Sequence, residues 1–196
     1  MNIQDLINSA TGQQIISNVS QQFGLEQSQA SAAVQSALPM LLGGLGRNAQ
    51  DPQGAAALHN ALEQHDPSVL NNIQGFFGSR ESAISDGSKI LKHIFGNNVE
   101  DVQTGISKSS GISTSKIGPI LAMLAPLVLS YLNKAKQSNN ISQPGGLGDL
   151  IGGLAGGLSG NNSNAGGGLI GMVSSFLDKN KDGNVIDDII GMFSKR

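Results

Sequence analysis

Apolar side chains recur at helical spacing from Met1 to about Lys136, with little of the strict alternation that a half-buried strand requires. Ile15, Ile16, Val19 and Phe23 mark one stripe, and Ala30, Ala33, Val34, Ala37, Leu38, Leu41, Leu42 and Leu45 mark a longer one. Gly24 and Gly46 stand where C-caps are expected, since glycine enters the left-handed region without a steric cost. Asp51-Pro52 and Asp66-Pro67 read as helix starts. The Asp accepts from the free N–H groups of the first turn, and the Pro brings a preset φ to it. They introduce Ala55 to Leu62 and Val69 to Phe76, and Gly87 to Phe95 is a further apolar-periodic stretch. The pattern predicts an all-α, multihelical orthogonal bundle.

The pattern also repeats. Val19-Ser-Gln-Gln-Phe-Gly-Leu25 resembles Ile106-Ser-Lys-Ser-Ser-Gly-Ile112, 87 residues further on. At that offset Val34 falls on Leu121, Ala37 on Leu124, Pro39 on Pro126, Leu42 on Leu129 and Leu45 on Leu132. A shared Gly and a shared Pro at one offset favour duplication over chance matching among apolar helices. The expected bundle therefore has two related helical halves, each a helix, a Gly turn and a longer apolar helix. Each internal Pro removes one helical hydrogen bond and is expected to kink its helix.

Composition changes at about Gln137. Residues 137–168 read as a Gly/Leu/Asn-rich low-complexity linker between the helical domain, 1–136, and a C-terminal helix-loop-helix, 169–196. Leu147, Leu150, Ile151, Leu154 and Leu158 keep a helical period inside the linker, which predicts a short helix weakened by its glycines. Leu169 to Leu177 and Val185 to Phe193 are the two helical stretches of the last element.

The Gln-rich helical block, the Gly24-Leu25 turn, the Leu38-Pro39-Met40-Leu41-Leu42 helix, the Gly/Leu-rich linker and the terminal run from Leu177 to Ile190 together resemble the YidB-like bacterial proteins, domain of unknown function family 937. The resemblance covers nearly the whole chain. It implies a multihelical fold and carries no activity with it.

The sharpest chemical motif lies in that terminal run. Asp178-Lys-Asn180-Lys-Asp182-Gly183-Asn184-Val185 reads D-x-N-x-D-G, the front half of an EF-hand-like loop. Calcium is a hard cation that takes several oxygens, and oxygens at alternate positions of a tight loop converge on one point. Asp178, Asn180 and Asp182 supply side-chain oxygens, Gly183 permits the sharp turn, and Asn184 offers its carbonyl. The usual bidentate acid is replaced by Ile189, with Asp188 one position short, so the expected cofactor is a weakly held Ca2+. The alternative is an Asp-Gly turn with Asp187 and Asp188 in the first turn of the last helix, where its dipole favours them.

Charge adds to the picture. Charged residues are 13% of the chain, against about 25% in an ordinary globular protein. Such a surface repels itself weakly, which favours a homo-oligomer. The formal net charge of −2 and pI of about 5.8 lack the basic field of a nucleic-acid binder, so no nucleic acid is expected. With no cysteine, disulfides, thiolate metal sites and Cys nucleophiles are excluded. Met1-Asn2-Ile3-Gln4-Asp5 lacks the basic region of a secretory signal, and a cytoplasmic location is the expectation.

Other motifs are weaker. Ile106 to Ile117 resembles the corner of a helix-turn-helix, but the helix after it is apolar on nearly all faces and must be buried. Its apolar run from Ile117 to Leu132 is short for a bilayer and holds two prolines, so no transmembrane span is expected. His59, His65 and His93 belong to no catalytic constellation, and no nucleophile elbow or phosphate loop occurs. The sequence therefore points to a non-catalytic interaction or structural protein with an unidentified protein partner. An envelope- or membrane-associated protein, anchored through the Gly/Leu segment 145–158, is the alternative.

Overall fold

A computed structural model of the chain describes residues 7–156. All regular structure among the described residues is helical. The α-helices are α1 (Ala10–Phe23), α2 (Gln27–Asn48), α3 (Pro52–Gln64), α4 (Ile73–Gly78), α5 (Arg80–Phe95), α6 (Val99–Ser110), α7 (Thr114–Ser138) and α8 (Leu147–Gly156). Short 3-10 turns cover Pro67–Asn71, Gly96–Asn98 and Pro144–Gly146.

Local chemistry sets most boundaries. Ser9 Oγ accepts from Gly12 N at 3.1 Å, and the Asp51 carboxylate accepts from Gly54 N at 2.8 Å. Glu26 and Gln29 form a capping box at the start of α2. The apolar period from Val69 to Phe76 is divided in two: Asp66 starts a 3-10 turn, Asn72 leaves helical φ at −135°, and its side chain caps α4 through Gly75 N at 3.0 Å. A second difference concerns Gly46. It lies inside α2, which runs on to Asn48, because the last turns of that helix use glycine for close packing and not for a cap. A Cβ at Gly44 would stand 2.5 Å from Ile94 Cγ2, and one at Gly46 3.3 Å from Ile151 Cγ2.

The segments 87 residues apart carry the same local structure. Gly24 ends α1 at φ 57° and Gly111 ends α6 at φ 70°, both left-handed. Ser20 Oγ donates to the Leu25 carbonyl at 2.7 Å, and Ser107 Oγ donates to the Ile112 carbonyl at 2.6 Å. The following helices begin at Gln27 and Thr114, again 87 apart, and both run through their prolines, Pro39 and Pro126. Lys116 Nζ, at the start of α7, donates to the Gly24 carbonyl at 3.3 Å and ties the two turns together.

The two long helices differ in their surroundings. Every residue of α7 from Ile120 to Asn133 is buried, so this helix is enclosed by the others. Helix α5 lies along it, and α2, α3, α6 and the Pro67–Asn71 turn cover its remaining sides. A helix apolar all round belongs at the centre of a fold or in a bilayer. This one is long and apolar enough to cross a membrane, yet 78% of its apolar window is buried by the rest of the chain. The turn at Gly111 that resembles a helix-turn-helix corner is present, and the helix after it is enclosed from Ile120 to Asn133.

Helix α8 departs from the linker reading of residues 137–168. Leu147, Ile151 and Leu154 are buried in the same core as α2 and α7. The core thus continues past the compositional break at Gln137. Glycine loosens the local propensity of α8, and burial of every third or fourth residue supplies the order that propensity does not.

Candidate functional site

A cleft of about 600 Å3 opens where α7 reaches the surface. The last turns of α7 contribute Tyr131, Lys134, Ala135 and Ser138 to it; α8 contributes Asp149, Leu150 and Leu154; Leu70 and Asn71 come from the 3-10 turn, and Ser9 and Thr11 from the start of α1. Its volume falls within the roughly 300–1,000 Å3 of ordinary ligand and peptide pockets. The lining is amphipathic: Leu70, Leu150 and Leu154 make apolar ground, and the exposed Lys134 and Asp149 place opposite charges on its rim. The cleft exists because α7 continues beyond its enclosed stretch while α8 returns beside it. A smaller cavity of about 30 Å3 beneath it is lined by apolar side chains such as Val34, Leu38, Leu124 and Val128. Without polar partners for a water, that space is a packing void.

Beside this region, helices are joined by a polar cluster. Lys136, buried on α7, places Nζ 3.2 Å from Glu63 Oε1 on α3, and the same oxygen lies 3.6 Å from His59 Nδ1. His65 Nδ1 donates to the Ala61 carbonyl at 2.7 Å, and its Nε2 faces Asp86 Oδ2 of α5 at 3.3 Å. Asn133 Nδ2 donates to the His65 carbonyl at 3.0 Å. His59 Nε2 is buried without a hydrogen-bond partner. The two histidines thus have separate carboxylate partners; Glu63 joins α3 to α7 through Lys136, and His65 joins the end of α3 to α5 through Asp86 and to α7 through Asn133. His93 is exposed, and its carbonyl accepts from Asn48 Nδ2 at 3.3 Å. The spacing of His59 and Glu63 was readable as a helical pair, whereas Lys136 and Asp86 reach the cluster only through the tertiary fold. The cleft left no motif in the sequence, because its walls come from four separate segments.

The predicted calcium ligands Asp178, Asn180, Asp182, Asn184 and Asp188 lie outside the described residues, as does the expected helix-loop-helix around them. Among the described residues no three His, Cys, Asp or Glu side chains group to hold a metal ion.

The family model of a bacterial protein of unknown function, DUF937, matches residues 5–135. The chain belongs to that family. The DUF937 match takes in the enclosed helix up to three residues before its end at Ser138, together with every element packed around it except α8. One wall of the cleft, the α8 wall, therefore lies beyond the DUF937 match. Neither a curated protein nor a solved structure matches the chain.

Proposed function

We propose that the chain is a non-catalytic helical interaction protein whose binding surface is the cleft between α7 and α8. The observation that carries this reading is the cleft itself, with its apolar floor of Leu70, Leu150 and Leu154 and its rim charges Lys134 and Asp149. An amphipathic helix suits such a surface, since its apolar stripe meets the leucines and its flanks meet the rim. The loop from Asp178 to Asp188 adds one weak calcium site on the C-terminal side of this surface in the chain. The membrane-anchor alternative is less well supported, because Leu147, Ile151 and Leu154, the side chains an interfacial helix would insert, are buried in the core.

The test compares full-length wild type with Leu150→Glu as bait in native pull-downs. Leu150 is only partly buried, so the charge alters the cleft and spares the core. A partner retained by wild type, lost by Leu150→Glu at an unchanged melting temperature, supports the reading. A partner retained equally by both proteins overturns it.

A further inference from the structure

Resting on the reading of the cleft as a binding surface, we propose its occupant: residues 169–177 of the same chain, seated by their apolar stripe. The described fold begins and ends at this cleft. Ser9 and Thr11 border it on one side, and Gly153 and Leu154, three and two residues before the end of α8, border it on the other. The chain leaving α8 therefore starts at its edge.

The next residues, 157–168, are Gly, Asn, Ser and Ala apart from Leu158. Gly/Ser-type chains of that length have an end-to-end distance of about 20 Å. That is enough to turn back along α8, and it holds the segment beyond residue 168 at a local concentration on the order of millimolar.

That segment matches the cleft. Leu169, Ile170, Val173, Phe176 and Leu177 fall at helical spacing on one side. No charged residue occurs between Asp149 and Asp178, so only Ser and Asn side chains solvate this stretch. Five large apolar side chains with no charge among them call for a covering surface. Immediately after the stripe comes Asp178, which complements Lys134 on the rim. A seated segment would also hold the calcium loop, which starts at Asp178, against the fold, and an external helix would have to displace it to bind.

The absence of cysteine makes the test clean in the full chain. Ala135→Cys with Val173→Cys pairs the cleft with the stripe. Ser28→Cys with Val173→Cys is the control, since Ser28 is exposed and α2 begins beside the opposite end of α7, where Lys116 meets Gly24. The intramolecular disulfide should form on the order of ten times faster in the first pair than in the control. Equal rates overturn the proposal, and so do disulfides between chains in the first pair, which would make a second copy the occupant.

A second measurement does not depend on disulfide geometry. Alkylation of a lone Ala135→Cys should speed up by a similar factor when Val173→Asp and Phe176→Asp are added, and an unchanged rate overturns the seating. The two ideas fail separately. Partner capture that is lost in Leu150→Glu without preferential cross-linking leaves the cleft a binding surface and removes its intramolecular occupant. Cross-linking without capture leaves the occupant and removes the external partner.

Discussion

Gly87 of α5 sits directly against the carbonyl oxygen of Ala122, the one carbonyl in the middle of α7 that Pro126 deprives of its helical N–H partner. A Cβ at position 87 would land on that oxygen, so a glycine hydrogen faces it instead, in a Cα–H···O contact that offsets part of the missing bond. The proline of the central helix and the glycine of its neighbour thus form one packing unit.

Gly87→Ala should therefore destabilise the protein by about 1–3 kcal/mol or more, because the obstructing atom is backbone and cannot turn aside. Gly152→Ala is the contrasting change. It lies inside α8 with open space around it, and should stabilise by about 0.5–1 kcal/mol through helix propensity. Thermal melts of the two variants should move in opposite directions; a shared direction would refute the packing account.

The end of the core can be located by truncation. A chain ending at residue 156 should melt cooperatively, whereas one ending at 141 loses the burial of Leu147, Ile151 and Leu154. Each buried aliphatic side chain is worth about 1.5–3 kcal/mol, so the shorter chain should be several kcal/mol less stable. Equal denaturation midpoints would show that α8 is an appendage.

The matched turns should respond alike. Ser20→Ala and Ser107→Ala each remove a hydroxyl that donates to a carbonyl five residues on, at 2.7 Å and 2.6 Å, and each should cost about 1 kcal/mol. Gly24→Ala and Gly111→Ala should each cost about 1 kcal/mol, since both positions are left-handed and open, so the cost is conformational and not steric. Chemical denaturation of the four variants tests the equivalence; a cost at one turn with none at the other contradicts it.

Asp66 gives the fold an acid-sensitive cap. Hydrogen bonds from the Ser68 backbone and side chain hold its carboxyl below the ordinary value of 3.8. A depressed carboxyl pKa means that its stabilisation is present in full above the unfolded value and is lost as pH falls through the folded one. The difference in melting temperature between wild type and Asp66→Ala should be constant from neutral pH down to about 5 and shrink below 3.8. A difference that persists at lower pH would mean the side chain acts through its shape alone.

For the proposed calcium loop, the missing acid at Ile189 leaves fewer charged ligands than a complete hand, so the expected dissociation constant is on the order of 10⁻⁴ to 10⁻³ M. Calorimetric titration with millimolar calcium should give heat with wild type and none with Asp178→Ala. Identical traces for the two proteins would leave Asp182-Gly183 as a plain turn.

The sequence alone determined the helical class, the Asp-Pro starts at Pro52 and Pro67, the turn at Gly24, its counterpart at Gly111 and the burial of the helix around Pro126. Each comes from local chemistry: a capping carboxylate, a left-handed glycine, or an apolar period too complete for any surface. The tertiary structure decided what depends on neighbours. Gly46 and Gly87 look like a cap and an indifferent helix residue until Ile151 and Ala122 are seen against them. Residues 147–156 look like part of a linker because glycine lowers helix propensity, and they are helical because burial against α2 and α7 outweighs that cost. The cleft belongs to the same class. Its lining combines Ser9, Leu70, Lys134 and Leu150, residues far apart in the chain, and periodicity records which face of a helix is covered but never which distant segment covers it.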